Sequence, residues 1–148
     1  MSRGYVTGGF GTMNQHRLID GQRAFRSKRA CELTGITYRQ LDYWNRTGFI
    51  SPSLHEAGGS GSTRYYSAAD LRKLSLARRL LDAGFHLERL RDVFATFQED
   101  TLDVGKFVVI MDQRIMVSTG VNWLKNYDFD CVMVFRIKEV IDVLADNE

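Results

Sequence analysis

The stretch Ile36-Thr37-Tyr38-Arg39-Gln40-Leu41-Asp42-Tyr43-Trp44-Asn45-Arg46-Thr47-Gly48 carries its own start, stop, inner face and outer face. Thr37 and Gln40 have capping-box spacing: the hydroxyl can accept from the third amide of a helix while the amide side chain reaches back. Ile36 before the cap and Leu41 within the first turns make the matching hydrophobic staple. Gly48 supplies the left-handed residue that closes a helix. At helical spacing Leu41 and Trp44 point inward, and Arg39, Tyr43 and Arg46 share the opposite face. Two guanidinium groups and a phenol on one rigid exposed face suit a polyanion such as a phosphate backbone.

Charge is distributed to match. Residues 23–97 hold 13 Lys/Arg against 7 Asp/Glu, whereas residues 98–148 hold 5 against 10, although the whole chain is only +2. The middle of the chain is therefore the part a polyanion would attract. At 148 residues, 44% hydrophobic and 26% charged, the chain has the make-up of a soluble globular protein. No apolar run is long enough to span a membrane and no apolar signal core stands at the N-terminus. A cytoplasmic, nucleoid-associated protein without membrane contact is expected. Cys31 and Cys131 are too few and too far apart for a disulfide framework or a metal set, and two free buried thiols are expected.

Met1 to about Gln22 is rich in glycine and lacks a period, so residues 1–22 read as a disordered tail. Ser27 can cap a short helix stopped at Gly35, with Ala30, Leu33 and Ile36 on its buried side. Two short helices joined by a glycine-containing turn make a helix-turn-helix. Phe49 to Pro52 and Arg64-Tyr65-Tyr66 read as two short strands flanking a glycine-rich loop, a wing. No Gly-Lys-Ser/Thr follows those glycines, so the loop is not read as a phosphate loop. Arg64 at the loop's exit is placed to reach a phosphate, Tyr65 to assist it, and Tyr66 to pack inward. Ser67 and Asp70 repeat the capping logic before a helix with Leu71, Leu74, Ala77, Leu80 and Leu81 inward. A further helix carries Leu87, Leu90, Val93, Phe94 and Phe97.

Beyond residue 105 the pattern becomes β-rich. Residues 107–111 and 114–118 read as a hairpin, 121–127 as a short helix, 132–137 as a third strand and 138–145 as a closing amphipathic helix. So small a unit needs cover for its sheet edge and apolar faces, and a second subunit is the favoured cover. Met111, Met116, Trp123 and Met133 are read as core rather than as a ligand pocket.

In register, Gly35 to Ile50, Arg64-Tyr65-Tyr66-Ser67 and Ala83-Gly84-Phe85-His86-Leu87 resemble the MerR family of winged-helix regulators over about residues 25–97. The resemblance implies a second helix in the major groove, a wing beside it, and a dimer on a palindromic operator. Carried over by position, Arg39 and Tyr43 look like recognition-helix contacts, and Arg64 and Tyr65 like wing contacts. Asp42 stands where many members have a basic residue, and His86 at the usual serine cap of the last helix. The family's long dimerising helix and its effector-binding cysteines are missing. The short C-terminal unit in their place looks like an actinobacterial branch similar to the FtsR-type regulators.

The expected fold is mainly α: a disordered tail over 1–22, a MerR-like winged helix-turn-helix over 23–100 and a small α/β dimerisation unit over 105–148. The expected function is sequence-specific DNA-binding transcription regulation by a homodimer, through helix 37–47 and wing 49–66. Candidate contacts are Thr37, Tyr38, Arg39, Gln40, Tyr43, Arg46, Arg64 and Tyr65. Partners are a double-stranded operator and a second copy, with RNA polymerase a further candidate. No cofactor or metal is expected. The alternative is a protein-interaction adaptor docking through Tyr43, Trp44 and the wing. An enzyme is disfavoured, because His16, His55 and His86 have no partner at catalytic spacing.

Overall fold

The computed structural model describes residues 17–55, 63–98, 101–111, 114–129 and 131–138. These fall into two compact units, one reaching Arg78 and the other spanning Arg79–Glu139. Helix α3 (Ala68–Asp82) runs from one into the other.

The first unit opens with strands β1 (Arg17–Ile19) and β2 (Gln22–Phe25), where the sequence reading has an unstructured tail. Asp20 and Gly21 both take positive φ, 51° and 77°. That is the two-residue turn whose twist matches the twist of the strands it joins, and Asp-Gly is one of its preferred sequences. Ile19 and Ala24 are buried with Leu54 and Tyr65 in one apolar cluster, which is what holds so short a hairpin in place. The remainder of the expected tail, residues 1–16, lies outside the described residues.

Helices α1 (Ser27–Thr34) and α2 (Tyr38–Arg46) follow and pack on each other. The cap of α1 is Arg26, which makes no side-chain capping bond, so Ser27 is the first helical residue rather than the cap. Gly35 ends α1 at φ 75°, its amide donating to Cys31 O at 2.8 Å. The Arg78 guanidinium covers Gly35 and donates to its carbonyl. Strands β3 (Leu54–His55) and β4 (Arg64–Ser67) complete an antiparallel sheet in the order β1-β2-β4-β3. The strand expected over 49–52 starts later, at Leu54. Pro52 has no amide proton, and the Ser53 amide donates to Asp70 Oδ2 at 2.8 Å instead of to a neighbouring strand.

In the second unit, α3 ends in a Schellman turn. Phe85 N–H donates to Leu80 O and Gly84 N–H to Leu81 O, each at 3.0 Å, with Gly84 at φ 100°. After α4 (Leu87–Ala95) come β5 (Phe107–Met111), β6 (Arg114–Ser118), a 3-10 turn at Asn122–Asn126 and β7 (Val132–Arg136). The sheet is antiparallel in the order β6-β5-β7. Val108, Val109 and Ile110 of the central strand are all buried, so both of its faces are covered. The expected hairpin, short helix and third strand are present. The closing helix lies outside the described residues beyond Lys138. Cys131 is exposed and Cys31 half-buried, both free, so the expectation of two buried thiols fails. Burial, aided by the neighbouring Glu32 charge, pushes the Cys31 thiol up.

The glycine turns separate two costs. A Cβ at Gly48 meets nothing within 4 Å, whereas one at Gly35 runs into the Arg78 guanidinium. Gly48→Ala should cost about 1 kcal/mol, the penalty for a left-handed L-residue. Gly35→Ala should cost more, because Arg78 must also move. Urea denaturation of the two variants checks the order.

Candidate nucleic-acid interface

Helix α2 is built as its sequence requires. Gln40 N–H donates to Thr37 Oγ1 and Thr37 N–H to Gln40 Oε1, both at 3.1 Å, a complete capping box. At the other end Phe49 N–H donates to Trp44 O at 2.9 Å and Gly48 N–H to Asn45 O at 3.1 Å. This is a Schellman motif with its apolar contact, the Trp44 and Phe49 rings meeting edge to face at 5.3 Å. Leu41 and Trp44 are buried while Tyr38, Arg39, Gln40, Tyr43 and Arg46 are exposed.

These exposed residues are not equivalent. The Thr37 hydroxyl and the Gln40 side-chain oxygen are engaged with each other in the cap, which does not use the Gln40 side-chain NH2. Arg46 Nε pairs with Asp42 Oδ2 at 3.0 Å, and its guanidinium lies 6.0 Å from the Tyr43 ring centre. Asp42 therefore neutralises part of this face. Tyr38, at 65% exposure, and Arg39 present the least committed atoms.

Across the β3–β4 pair, Leu54 faces Tyr65 and His55 faces Arg64. Arg64 is exposed at the start of β4. Tyr65 is 1% exposed, which does not suit the direct surface contact expected of it. Packing explains the difference: Tyr65 lies on the face opposite Arg64 and is covered there by Ile19, Ala24 and Leu54. The Tyr65 hydroxyl accepts from Arg26 Nη2 at 3.3 Å, and the guanidinium groups of Arg26 and Arg17 lie 5.6 and 5.5 Å from its ring centre. Tyr65 thus positions two exposed arginines that sequence reasoning missed. The available signal was the Asp20-Gly21 turn, which brings Arg17 back beside the sheet.

Asp70 anchors the other side of this strand pair. Its Oδ2 accepts from Ser53 N–H at 2.8 Å, Ser53 Oγ at 2.7 Å and Ser67 N–H at 2.9 Å, while Asp70 N–H donates to Ser67 Oγ at 3.1 Å. The expected helix cap is therefore also the clamp on the chain entering β3. Among the described residues no cluster of His, Cys, Asp and Glu could hold a metal ion, and no helix is long and apolar enough to cross a membrane.

Residues 25–96 match the family model for the MerR HTH family regulatory protein. These residues are a MerR-family helix-turn-helix domain. An uncharacterized HTH-type transcriptional regulator of Mycobacterium tuberculosis is 51% identical over 67 residues, 45% of this chain and 30% of that protein. Heavy metal-dependent transcription regulator 1 of Rhizobium meliloti is 30% identical over 67 residues, covering 45% of this chain and 44% of its own length. The HTH-type transcriptional regulator HmrR of Sinorhizobium medicae is 29% identical over 70 residues. This chain thus spans less than half the length of these relatives. The MerR family is one of regulators, not of enzymes.

Beneath the MerR domain's surface, burial, with a smaller push from Asp70, raises the Tyr66 phenol to about 12 from its usual 10. A phenol harder to ionise folded than unfolded contributes stability that is complete below pH 10 and lost as pH rises toward 12. Tyr66→Phe should flatten that decline, as thermal melts between pH 9 and 12 (about the range where the phenol titrates) will report.

Proposed function

We infer that this chain is a sequence-specific DNA-binding transcription regulator, with α2 in the major groove and the β3–β4 pair as a wing on the adjacent backbone. The observation that carries this reading is α2 itself: Leu41 and Trp44 hold it while Tyr38, Arg39 and Tyr43 face outward. A helix pinned on one side and cationic on the other has the form of a groove-reading element.

Arg39 and Arg64 anchor to phosphates or, for Arg39, to a guanine edge. Tyr38 and Tyr43 add hydrogen bonds and stacking area. The Thr37 hydroxyl reaches a base only by opening part of the capping box, whereas the Gln40 side-chain NH2 can donate with the box intact. Arg46 contributes to the extent that DNA displaces it from Asp42. Arg17 and Arg26 extend the cationic surface along the hairpin, and Tyr65 acts by holding them. Phosphate contacts supply most of the affinity, and base contacts select the site.

A dimer on a palindromic operator follows from the family analogy, with half-sites about one helical turn or a multiple apart. Association through the C-terminal unit is supported by its apolar edge strand β7, where Val134 is about two-fifths exposed. RNA polymerase is a further candidate partner, and such a protein works in the cytoplasm on the nucleoid.

Arg39→Ala or Arg64→Ala should weaken operator binding by about 1–3 kcal/mol with little change in melting temperature. Arg64→Ala should in addition lower the slope of log affinity against log salt by about one. Electrophoretic mobility shifts over a salt series check both, and unchanged affinity in both variants removes these contacts. Sedimentation equilibrium of the full chain should give a dimer at micromolar concentration, whereas a monomer there removes the proposed association.

A further inference from the structure

The Arg79–Glu139 unit contains a cavity of about 770 Å³, within the range of small-molecule sites. Its floor follows from sheet register. Met111 pairs with Arg114, Val109 with Met116 and Phe107 with Ser118, so Met111, Arg114, Met116 and Ser118 lie on one face. Arg89 on α4 and the aromatic run Trp123, Tyr127 and Phe129 supply much of the remaining lining.

Two features restrict what such a cavity takes. The first is the aromatic run. Trp123 Nε1 donates to Gly120 O at 2.8 Å and to Ser118 Oγ at 3.1 Å, so the indole is locked and only its ring remains for a ligand. Tyr127 meets Trp123 edge to face at 6.1 Å and lies 5.8 Å from Phe129, yet is 63% exposed. A large ring held in place and left open to solvent is a stacking surface. Met111 and Met116 beside it add polarizable contact area. The second feature is charge: among the described residues lining the cavity, the charged side chains are two arginines, Arg89 and Arg114. Arg114 stands in the acidic part of the chain, where residues 98–148 carry twice as many Asp/Glu as Lys/Arg, and Arg89 comes from the basic part before it.

We propose that this cavity binds a planar aromatic carboxylate, its rings against Trp123 and Tyr127 and its carboxylate toward Arg114 and Arg89. The guanidinium fork matches a carboxylate in geometry and charge, and the methionines accommodate rings of differing outline. A cationic aromatic ligand would face two like charges.

The test uses the full chain and isothermal titration calorimetry, with 2-naphthoate as the probe and neutral 2-naphthamide as its matched control. The acid should bind saturably at one per chain and about tenfold more tightly than the amide, the size of one charge-assisted contact. Arg114→Gln, at an exposed position, should abolish that preference. Tyr127→Ala should weaken acid and amide alike, and Arg39→Ala on the helix-turn-helix should change neither. Lack of saturable binding, equal affinity for acid and amide, or an unaltered preference in Arg114→Gln would each overturn the proposal. So would acid binding that strengthens only as the protein dissociates on dilution, because the groove would then belong to a second copy.

Discussion

Trp44 performs three tasks on which the exposed face of α2 depends. Its side chain is buried, so the rotation of the helix about its own axis is set by the core and not by solvent. Its carbonyl accepts the Phe49 amide in the helix-ending turn, and its ring meets the Phe49 ring. One residue thereby sets both the rotation of the helix and the place where it stops. With Leu41 beside it, the outward residues are those one face must present, and a one-residue slip would bury Arg39 or expose the indole.

The buried Asp70 carboxylate carries out the corresponding work for the strand pair. It serves the Ser67 end of α3 and the Ser53 turn before β3, joining two segments far apart in sequence. A carboxylate accepting several donors is satisfied in the interior. The β1–β2 hairpin closes the same sheet from the far side, with Ile19 and Ala24 in the cluster that contains Leu54 and Tyr65. The cationic groups of this surface are therefore carried on elements fastened at both ends.

The two units differ in how they use aromatic and cationic side chains. In the unit reaching Arg78, Tyr65 is buried, and its ring and hydroxyl organise arginines. In the Arg79–Glu139 unit Tyr127 is exposed beside neighbouring rings and lines a cavity that Arg89 and Arg114 also line.

Much of this protein was legible in its sequence because the relevant forces are local. The capping box of α2, the Gly48 stop, the inward Leu41 and Trp44, and the Ser67–Asp70 cap depend on residues a few positions apart, and helical geometry brings those together without help from the rest of the fold. The hairpin at Asp20-Gly21 was missed because its strands are so short that only packing against Leu54 and Tyr65 makes them stable. The inward turn of Tyr65, the second use of Asp70 at Ser53, and the cavity floor of Met111, Arg114 and Met116 rest on strand register and on contacts between distant segments. Sequence alone determined which residues could form the α2 surface, since a helix dictates its own faces. Tertiary structure decided which of the surrounding aromatic and charged groups reach solvent, because that depends on what packs on the other side of each strand.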